Sequence, residues 1–125
     1  MRRQPGPERA GGARLRTVRV LFICARNRLR SRTAEVIFSE MEGLEVSSAG
    51  TALDAECPVS ADLLEWADLI FVMETKQRRQ LARRFADVLK DKKIVELGIP
   101  DRFRYMQAEL IAELRAKVMP WLVKG

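Results

Sequence analysis

Apolar residues follow two different spacings, in segments that alternate along this 125-residue chain. Four short runs of aliphatic and β-branched residues predict strands, and the longer stretches after them repeat apolar residues every three or four positions, as amphipathic helices do. The predicted strands are residues 18–25, 44–51, 68–74 and 92–97. Because strand and helix alternate from beginning to end, we expect right-handed crossovers and a parallel sheet with helices on both faces. The pattern therefore predicts one α/β domain.

Between the predicted strands and after the last one, apolar residues recur with the period of an α-helix. Residues 31–42 carry apolar side chains on one helix face, and Gly43 is the kind of residue that ends a helix. Ser60 can cap a second, short helix. Apolar residues mark a third helix over residues 81–89 and a last one over 110–118. Four side chains are interpreted as core: Trp66, Phe71, Met73 and Trp121.

Positive charge is concentrated at the start of the chain. Residues 1–16 contain five arginines, three glycines and two prolines without an apolar core, so we interpret them as a disordered basic tail and not as a secretory signal. They carry +4 of the formal net charge of +6, and residues 17–125 form the predicted domain. No apolar run approaches the roughly 18 residues of a membrane-spanning helix, so we expect a cytoplasmic protein. The predicted third helix has an arginine-rich face that we interpret as solvated: Arg78, Arg79, Arg83 and Arg84.

The chain contains no histidine and only two cysteines, Cys24 and Cys57. The absence of histidine excludes Ser-His-Asp triads, Cys-His pairs and most zinc or non-haem iron sites. Two cysteines are too few for a disulfide framework. We therefore expect any catalysis to proceed without a metal or cofactor, and to depend on cysteine, carboxylate, arginine or lysine side chains.

Cys24 lies where the first predicted strand ends, and a six-residue turn separates it from the helix that begins near Ser31. Parallel sheets bind ligands beyond the carboxyl ends of their strands. A turn that leads into a helix N-terminus presents free N–H groups, which bind anions and stabilise a thiolate. Arg30 can bind two phosphate oxygens at once, Asn27 suits a left-handed conformation, and Ser31 can donate a hydrogen bond to the sulfur. The turn is therefore a candidate phosphate-binding loop with a reactive cysteine.

The pattern Cys-x5-Arg-Ser, with an asparagine inside the loop, resembles the first strand–helix turn of the low-molecular-weight protein tyrosine phosphatases. The likeness is strongest to a short bacterial branch of predicted phosphatases. Cys24, Asn27, Arg30 and Ser31 match the family pattern position by position. In the later motif "SSAGT", Ser48 falls on the family's second-strand serine.

The resemblance extends over residues 17–121, where "PDRF" at 100–103 resembles the family's acid loop. It implies a three-layer sandwich, phosphatase-I-like, whose four-stranded parallel sheet has the order 2-1-3-4. It also implies Cys24 as nucleophile, Arg30 and Asp101 as further catalytic residues, and Ser48 as a supporting residue. The implied phosphate-binding loop consists of Ala25, Arg26, Asn27, Arg28, Leu29, Arg30 and Ser31.

The function that these residues predict is a metal-independent phosphomonoesterase that forms a cysteinyl-phosphate intermediate. Asp101 would protonate the leaving oxygen, with Phe103 as a wall of the pocket. The 51–58 loop lacks the aromatic side chains that line a phosphotyrosine pocket in many relatives, so a phosphoprotein and a nucleotide or RNA phosphate are both candidate substrates. Arginines expected around an anionic substrate are Arg26, Arg28, Arg32, Arg102 and Arg104.

Two alternatives remain open at this stage. One is a non-catalytic phosphate- or nucleic-acid-binding module, in which the basic tail and the pocket arginines hold the ligand. The other is a thiol-dependent arsenate reductase, a chemistry that needs a resolving thiol. Cys57 is the one candidate for that role, although we interpret it first as an ordinary free cysteine.

Overall fold

The four predicted strands form one parallel sheet in a computed structural model that describes residues 17–123. The proposed tail at residues 1–16 lies outside the described residues. The sheet has the order β2-β1-β3-β4, so the α/β class, the parallel pairing and the strand order are confirmed. The strands are β1 (Val18–Cys24), β2 (Leu44–Gly50), β3 (Leu69–Val72) and β4 (Lys93–Glu96).

Helices connect the strands and follow the last one, as the periodicity predicts. Within the described part of the chain they are α1 (Arg30–Phe38), α2 (Ala61–Trp66), α3 (Thr75–Arg84), α4 (Ala86–Leu89) and α5 (Ala108–Val123). Two predicted boundaries are wrong. The helix expected over 31–42 already ends at Phe38, and Gly43, with a φ of 85°, belongs to the turn that enters β2.

The helix expected over 81–89 is interrupted at Phe85. The backbone of Phe85 has φ −132° and ψ 36°, which is not helical, so a second short helix starts after it. The break lets Phe85, Val88 and Leu89 all pack against the core on one side of the sheet. Tertiary packing thus overrides the helical periodicity of this segment.

The sheet separates two apolar cores, because successive strand residues point to opposite faces. Val20, Phe22 and Cys24 of β1 belong to the core beneath α1 and α5, where the ring of Phe22 stacks between Phe38 and Phe71 at centroid distances of 5.5 and 5.2 Å. Leu21 and Ile23 belong to the core on the other face, with α2, α3 and α4. The sulfur of Cys24 therefore lies on the α1 and α5 side.

Three of the four side chains predicted to be core are at least partly buried. Phe71 and Met73 are fully buried, and Trp66 packs against the second core. The prediction for Trp121 is wrong, since 39% of this residue is exposed. The buried positions of α5 recur every four residues up to Val118, and Trp121 lies off that row, where its ring contacts the Lys93 ammonium at 5.0 Å.

The sheet order places Cys24 at the centre of the carboxyl edge. Strand β1 lies between β2 and β3, and Cys24 pairs in register with Gly50 at the end of β2. The loops that follow β2, β3 and β4 leave from this same edge, so all of them can reach Cys24. Among residues 17–123, no helix is long and apolar enough to cross a membrane.

Candidate functional site

The sulfur of Cys24 is held by hydrogen bonds from its own loop. Cys24 is only 3% exposed, and its Sγ accepts a hydrogen bond from the backbone N–H of Asn27 at 3.2 Å. The hydroxyl oxygen of Ser31 lies 3.0 Å from Sγ and 2.8 Å from the side-chain oxygen of Asn27. Asn27 has a φ of 59°, the left-handed conformation that its sequence position predicts. The Asn27 N–H is thus an assigned donor that can stabilise negative charge on the sulfur.

The loop after β2 determines which way the phosphate loop faces. The carbonyl oxygens of Cys24, Ala25 and Arg26 accept hydrogen bonds from the N–H groups of residues 51, 52 and 56, at 3.0, 2.9 and 3.1 Å. Across a trans peptide, the carbonyl of one residue and the N–H of the next point in opposite directions. The N–H groups of Ala25, Arg26 and Asn27 therefore point away from the β2 loop, and that of Asn27 reaches the sulfur.

Gly50 permits this close approach of the two loops. A Cβ at position 50 would lie 2.5 Å from the carbonyl oxygen of Ala25 and 2.7 Å from the Cβ of Ala55. Such distances are not tolerated between non-bonded atoms, so any larger residue would push the phosphate loop away from β2. Glycine is therefore required by packing at this position.

Arg30 is buried and is fixed by the ends of two other strands. Its Nη1 donates to the Oε1 of Glu74, after β3, at 2.9 Å and to the carbonyl oxygen of Ile99, after β4, at 2.8 Å. Only 3% of the Arg30 side chain is exposed. Because Nη1 has two hydrogens and both are used, the edge formed by Nε and Nη2 is the one that can bind an oxyanion.

Glu74 is the counter-ion of this buried guanidinium. Burial raises the pKa of the Glu74 carboxyl, but the hydrogen bond from Arg30, its positive charge and the neighbours Gln77 and Lys76 outweigh that effect and lower the pKa below its ordinary value. Glu74 also caps α3 through a reciprocal pair of contacts with Gln77. The sequence prediction missed Glu74, which it placed at the end of the predicted strand 68–74, and no signal in the sequence pairs this residue with Arg30.

The side chain of Asp101 lies beside the guanidinium of Arg30. The loop after β4 is fixed to the end of β3 by a hydrogen bond from the N–H of Ile99 to the carbonyl oxygen of Met73, at 2.9 Å. This brings the Oδ1 of Asp101 to 3.7 Å from the Nε of Arg30, with 62% of the Asp101 side chain exposed. The predicted role of Phe103 as a pocket wall is wrong, because the ring is buried in the core with Leu110.

Ser48 forms no hydrogen bond with the phosphate loop among the residues that the structure describes. Its hydroxyl donates to the Oε1 of Glu35 at 2.5 Å and so joins β2 to α1. It can support the site only indirectly, by fixing the helix that follows the loop.

Three arginines in and directly after the phosphate loop are paired with carboxylates, which the sequence did not predict. Arg26 binds Asp54 at 2.8 Å, and Arg32 binds Glu56 at 3.2 Å. Arg28 lies 4.0 Å from the other oxygen of Glu56. These three arginines therefore join the phosphate loop to the β2 loop through exposed ion pairs.

Cys57 is not placed to form a disulfide with Cys24. Gly50 pairs with Cys24 on one side and with Pro58 on the other, so about 10 Å, or two strand spacings, separates Cys24 from Pro58. Cys57 is half-buried against the second core, whereas Cys24 belongs to the first. A disulfide needs Cα atoms within about 7 Å, so the backbone would have to move.

Comparison with known proteins gives matches at the level of structure. No family model matches the sequence, and no curated protein is similar to it. Wzb of Vibrio vulnificus, solved with benzylphosphonate, superimposes with a TM-score of 0.71 at 18% identity, over 86% of this chain and 99% of its own. The chain has the fold of the low-molecular-weight protein tyrosine phosphatases.

Two further structures with this fold come from different kinds of phosphatase. SP-PTP, a low-molecular-weight protein tyrosine phosphatase of Streptococcus pyogenes, matches with a TM-score of 0.69 at 17% identity, over 86% of this chain and 93% of its own. A cysteine-to-serine mutant of the arginine phosphatase YwlE, with a phosphorylated active-site serine, matches with a TM-score of 0.67 at 23% identity. That match covers 86% of this chain and 97% of YwlE.

The Glu74–Arg30 pair predicts a specific pH dependence of stability. Glu74→Gln removes the charge but keeps the size, and we expect it to lower the free energy of unfolding at neutral pH by about 1 kcal/mol. Because the folded state lowers the pKa of Glu74, the wild-type advantage is complete above the ordinary pKa of 4.5. It declines as the pH falls through the lowered value and then vanishes. Urea unfolding of both proteins at a series of pH values measures this.

The control is Glu40→Gln, at an exposed glutamate for which no salt bridge exists among the described residues. It should change stability little at any pH. A stability difference between wild type and Glu74→Gln that stays constant from neutral to strongly acidic pH would show that the pair does not favour the ionised carboxylate.

Proposed function

We propose that this protein is a metal-independent phosphomonoesterase that uses Cys24 as its nucleophile. The observation that carries the proposal is the position of the Cys24 sulfur, which accepts the Asn27 N–H at the base of a loop whose neighbouring N–H groups face away from the β2 loop. Such a loop can hold the three non-bridging oxygens of a phosphate, with Arg30 binding two of them. The fold shared with tyrosine and arginine phosphatases supports the same function.

The reaction proceeds in two steps. In the first, the Cys24 thiolate attacks phosphorus, a sulfur–phosphorus bond forms, and the bond from phosphorus to the leaving oxygen breaks. The leaving oxygen takes a proton from Asp101. In the second step, water attacks phosphorus, gives a proton to Asp101 and releases inorganic phosphate and the Cys24 thiolate. No other reactant is needed, since the proton lost in the first step is recovered in the second.

A phosphorylated protein side chain is the substrate class that the site supports best. A nucleotide or RNA substrate was inferred from five arginines. Arg102 and Arg104 form no salt bridge with a residue that the structure describes, but Arg26, Arg28 and Arg32 are paired with carboxylates. Pairing weakens their attraction for a polyanion. Two apolar side chains, Leu29 on the phosphate loop and Leu53 on the β2 loop, are exposed beside the same site.

The alternatives receive less support. An arsenate reductase needs a resolving thiol, and Cys57 lies about two strand spacings from Cys24 on the other core. A non-catalytic phosphate-binding module does not require a carboxylate beside the guanidinium, whereas Asp101 is held next to Arg30.

The first test is hydrolysis of p-nitrophenyl phosphate in excess EDTA. We expect wild type and Cys57→Ser to turn over the substrate at similar rates, unchanged by the chelator. Cys24→Ser should lose at least about a thousandfold in rate while it still binds vanadate, because a serine hydroxyl stays protonated at neutral pH. Binding without turnover by wild type would favour the non-catalytic module, and residual activity of Cys24→Ser within tenfold would exclude the covalent mechanism.

The role of Asp101 is tested by the leaving group. Asp101→Asn should slow hydrolysis of phenyl phosphate, whose leaving oxygen needs a proton, by about a hundredfold, and that of a substrate with a much more acidic phenol far less. Asp54→Asn, which removes a carboxylate on the opposite side of the loop, is the matched control and should affect both substrates alike. Equal slowing of the two substrates by Asp101→Asn would assign the acid to another group.

A further inference from the structure

One exposed face of α3 carries cations that form no salt bridge among the described residues. Lys76, Arg79 and Arg83 are all exposed, and they lie at positions i, i+3 and i+7, which share one side of a helix. None of the three forms a salt bridge with a residue that the structure describes. Arg78, on the other side of the helix, binds Glu96 at 3.3 Å. We refer to Lys76, Arg79 and Arg83 as the α3 basic face.

Both ends of α3 are attached to the edge of the sheet where Cys24 lies. At its start, the capping residue Glu74 binds Arg30 of the phosphate loop. At its end, the Nη1 of Arg84 donates to the carbonyl oxygen of Thr51 at 3.0 Å, and the N–H of Thr51 binds the carbonyl oxygen of Cys24. Both ends of α3 are therefore bound to loops at the edge of the sheet where Cys24 lies.

An open depression of about 540 Å³ joins the start of α3 to the loop of Asp101, and its lining includes Lys76 and Pro100. Its two carboxylates do not make it acidic, because Glu74 is bound by Arg30 and Glu96 by Arg78. A chain whose phosphate occupies the Cys24 loop can thus leave the site over α3 without meeting an unpaired negative charge there.

The chemistry of the α3 basic face suits an acidic peptide better than a nucleic acid. Proteins that bind single strands stack bases on aromatic side chains. The one aromatic residue at this helix is Phe85, which is partly buried and covered by the Arg84 guanidinium at a centroid distance of 5.0 Å. From Lys76 to Arg83 the helix rises by about 10 Å, which is the length of roughly three residues of extended peptide.

We propose that the α3 basic face is a docking surface for acidic residues next to the phosphorylated residue of a protein substrate. The proposal rests on the proposed phosphatase function and adds the kind of sequence that this site selects. Exposed ion pairs are individually weak and are screened by salt, so the face contributes to KM and association rate and leaves the chemical step unchanged.

The test uses Arg79→Glu/Arg83→Glu, which reverses two charges that contact no catalytic group. Its substrates are p-nitrophenyl phosphate and two phosphotyrosine peptides that differ only in having Asp and Glu or Ser and Gly beside the phosphorylated residue. We expect the variant to raise KM for the acidic peptide about tenfold at low salt, with kcat unchanged and with the difference lost at high salt. Turnover of p-nitrophenyl phosphate and of the neutral peptide should stay at wild-type values.

The matched control is Lys90→Glu/Arg115→Glu, which makes the same charge change at two exposed residues outside α3. It should leave KM for the acidic peptide within about twofold of wild type. An equal effect of the two double variants would mean that net charge alone matters and would overturn the proposal. A 5′-phosphorylated RNA that competes better than the acidic peptide, and loses that advantage in Arg79→Glu/Arg83→Glu, would overturn it in favour of a nucleic acid.

Failure of the proposed function gives a different result from failure of the docking surface. If wild type does not hydrolyse p-nitrophenyl phosphate, the phosphatase assignment fails. Binding of the same two peptides, measured by fluorescence anisotropy, then decides whether the α3 basic face prefers the acidic one. If turnover is normal but KM for the acidic peptide is the same in wild type and Arg79→Glu/Arg83→Glu, only the docking surface is excluded.

Discussion

Three backbone hydrogen bonds between the β2 loop and the phosphate loop determine what this site can do. They engage the carbonyl oxygens of Cys24, Ala25 and Arg26, and so direct the N–H groups that follow these carbonyls to the other side of the loop. The approach is close enough that Gly50 cannot carry a side chain, and the left-handed conformation of Asn27 completes the turn. An anion and a thiolate can both use the resulting donors.

Arg30 connects that loop to the rest of the carboxyl edge of the sheet. Its guanidinium donates to Glu74 after β3 and to Ile99 after β4, and Asp101 lies beside it, so one buried cation binds or adjoins groups that follow two other strands. Burying the arginine charge without these oxygens would lower the free energy of unfolding, because the charge would be left uncompensated. Since Glu74 also caps α3, the position of the guanidinium and the position of the basic helix are coupled.

The parts of the fold and site that follow from local chemistry could be predicted from the sequence. Strand and helix periods specify the parallel sheet, and the position of Cys24 between a strand and a helix places it at the ligand-binding edge. The chemistry of Asn27 predicts its left-handed backbone. The parts that depend on packing could not be predicted. Glu74 binds Arg30 because β3 lies beside β1 in the sheet, and Phe103 packs in the core and does not line the pocket.

The central claim is that Cys24 carries the phosphoryl group during turnover, and rapid quenching tests it most directly. Wild-type protein is mixed with excess p-nitrophenyl phosphate, quenched in acid at increasing times, digested and examined by mass spectrometry. The account predicts that a phosphoryl group appears on the peptide containing Cys24, reaches a steady level during turnover and disappears when the substrate is exhausted. Steady turnover with the Cys24 peptide unmodified at every time, or with the phosphoryl group on another residue, would contradict the account.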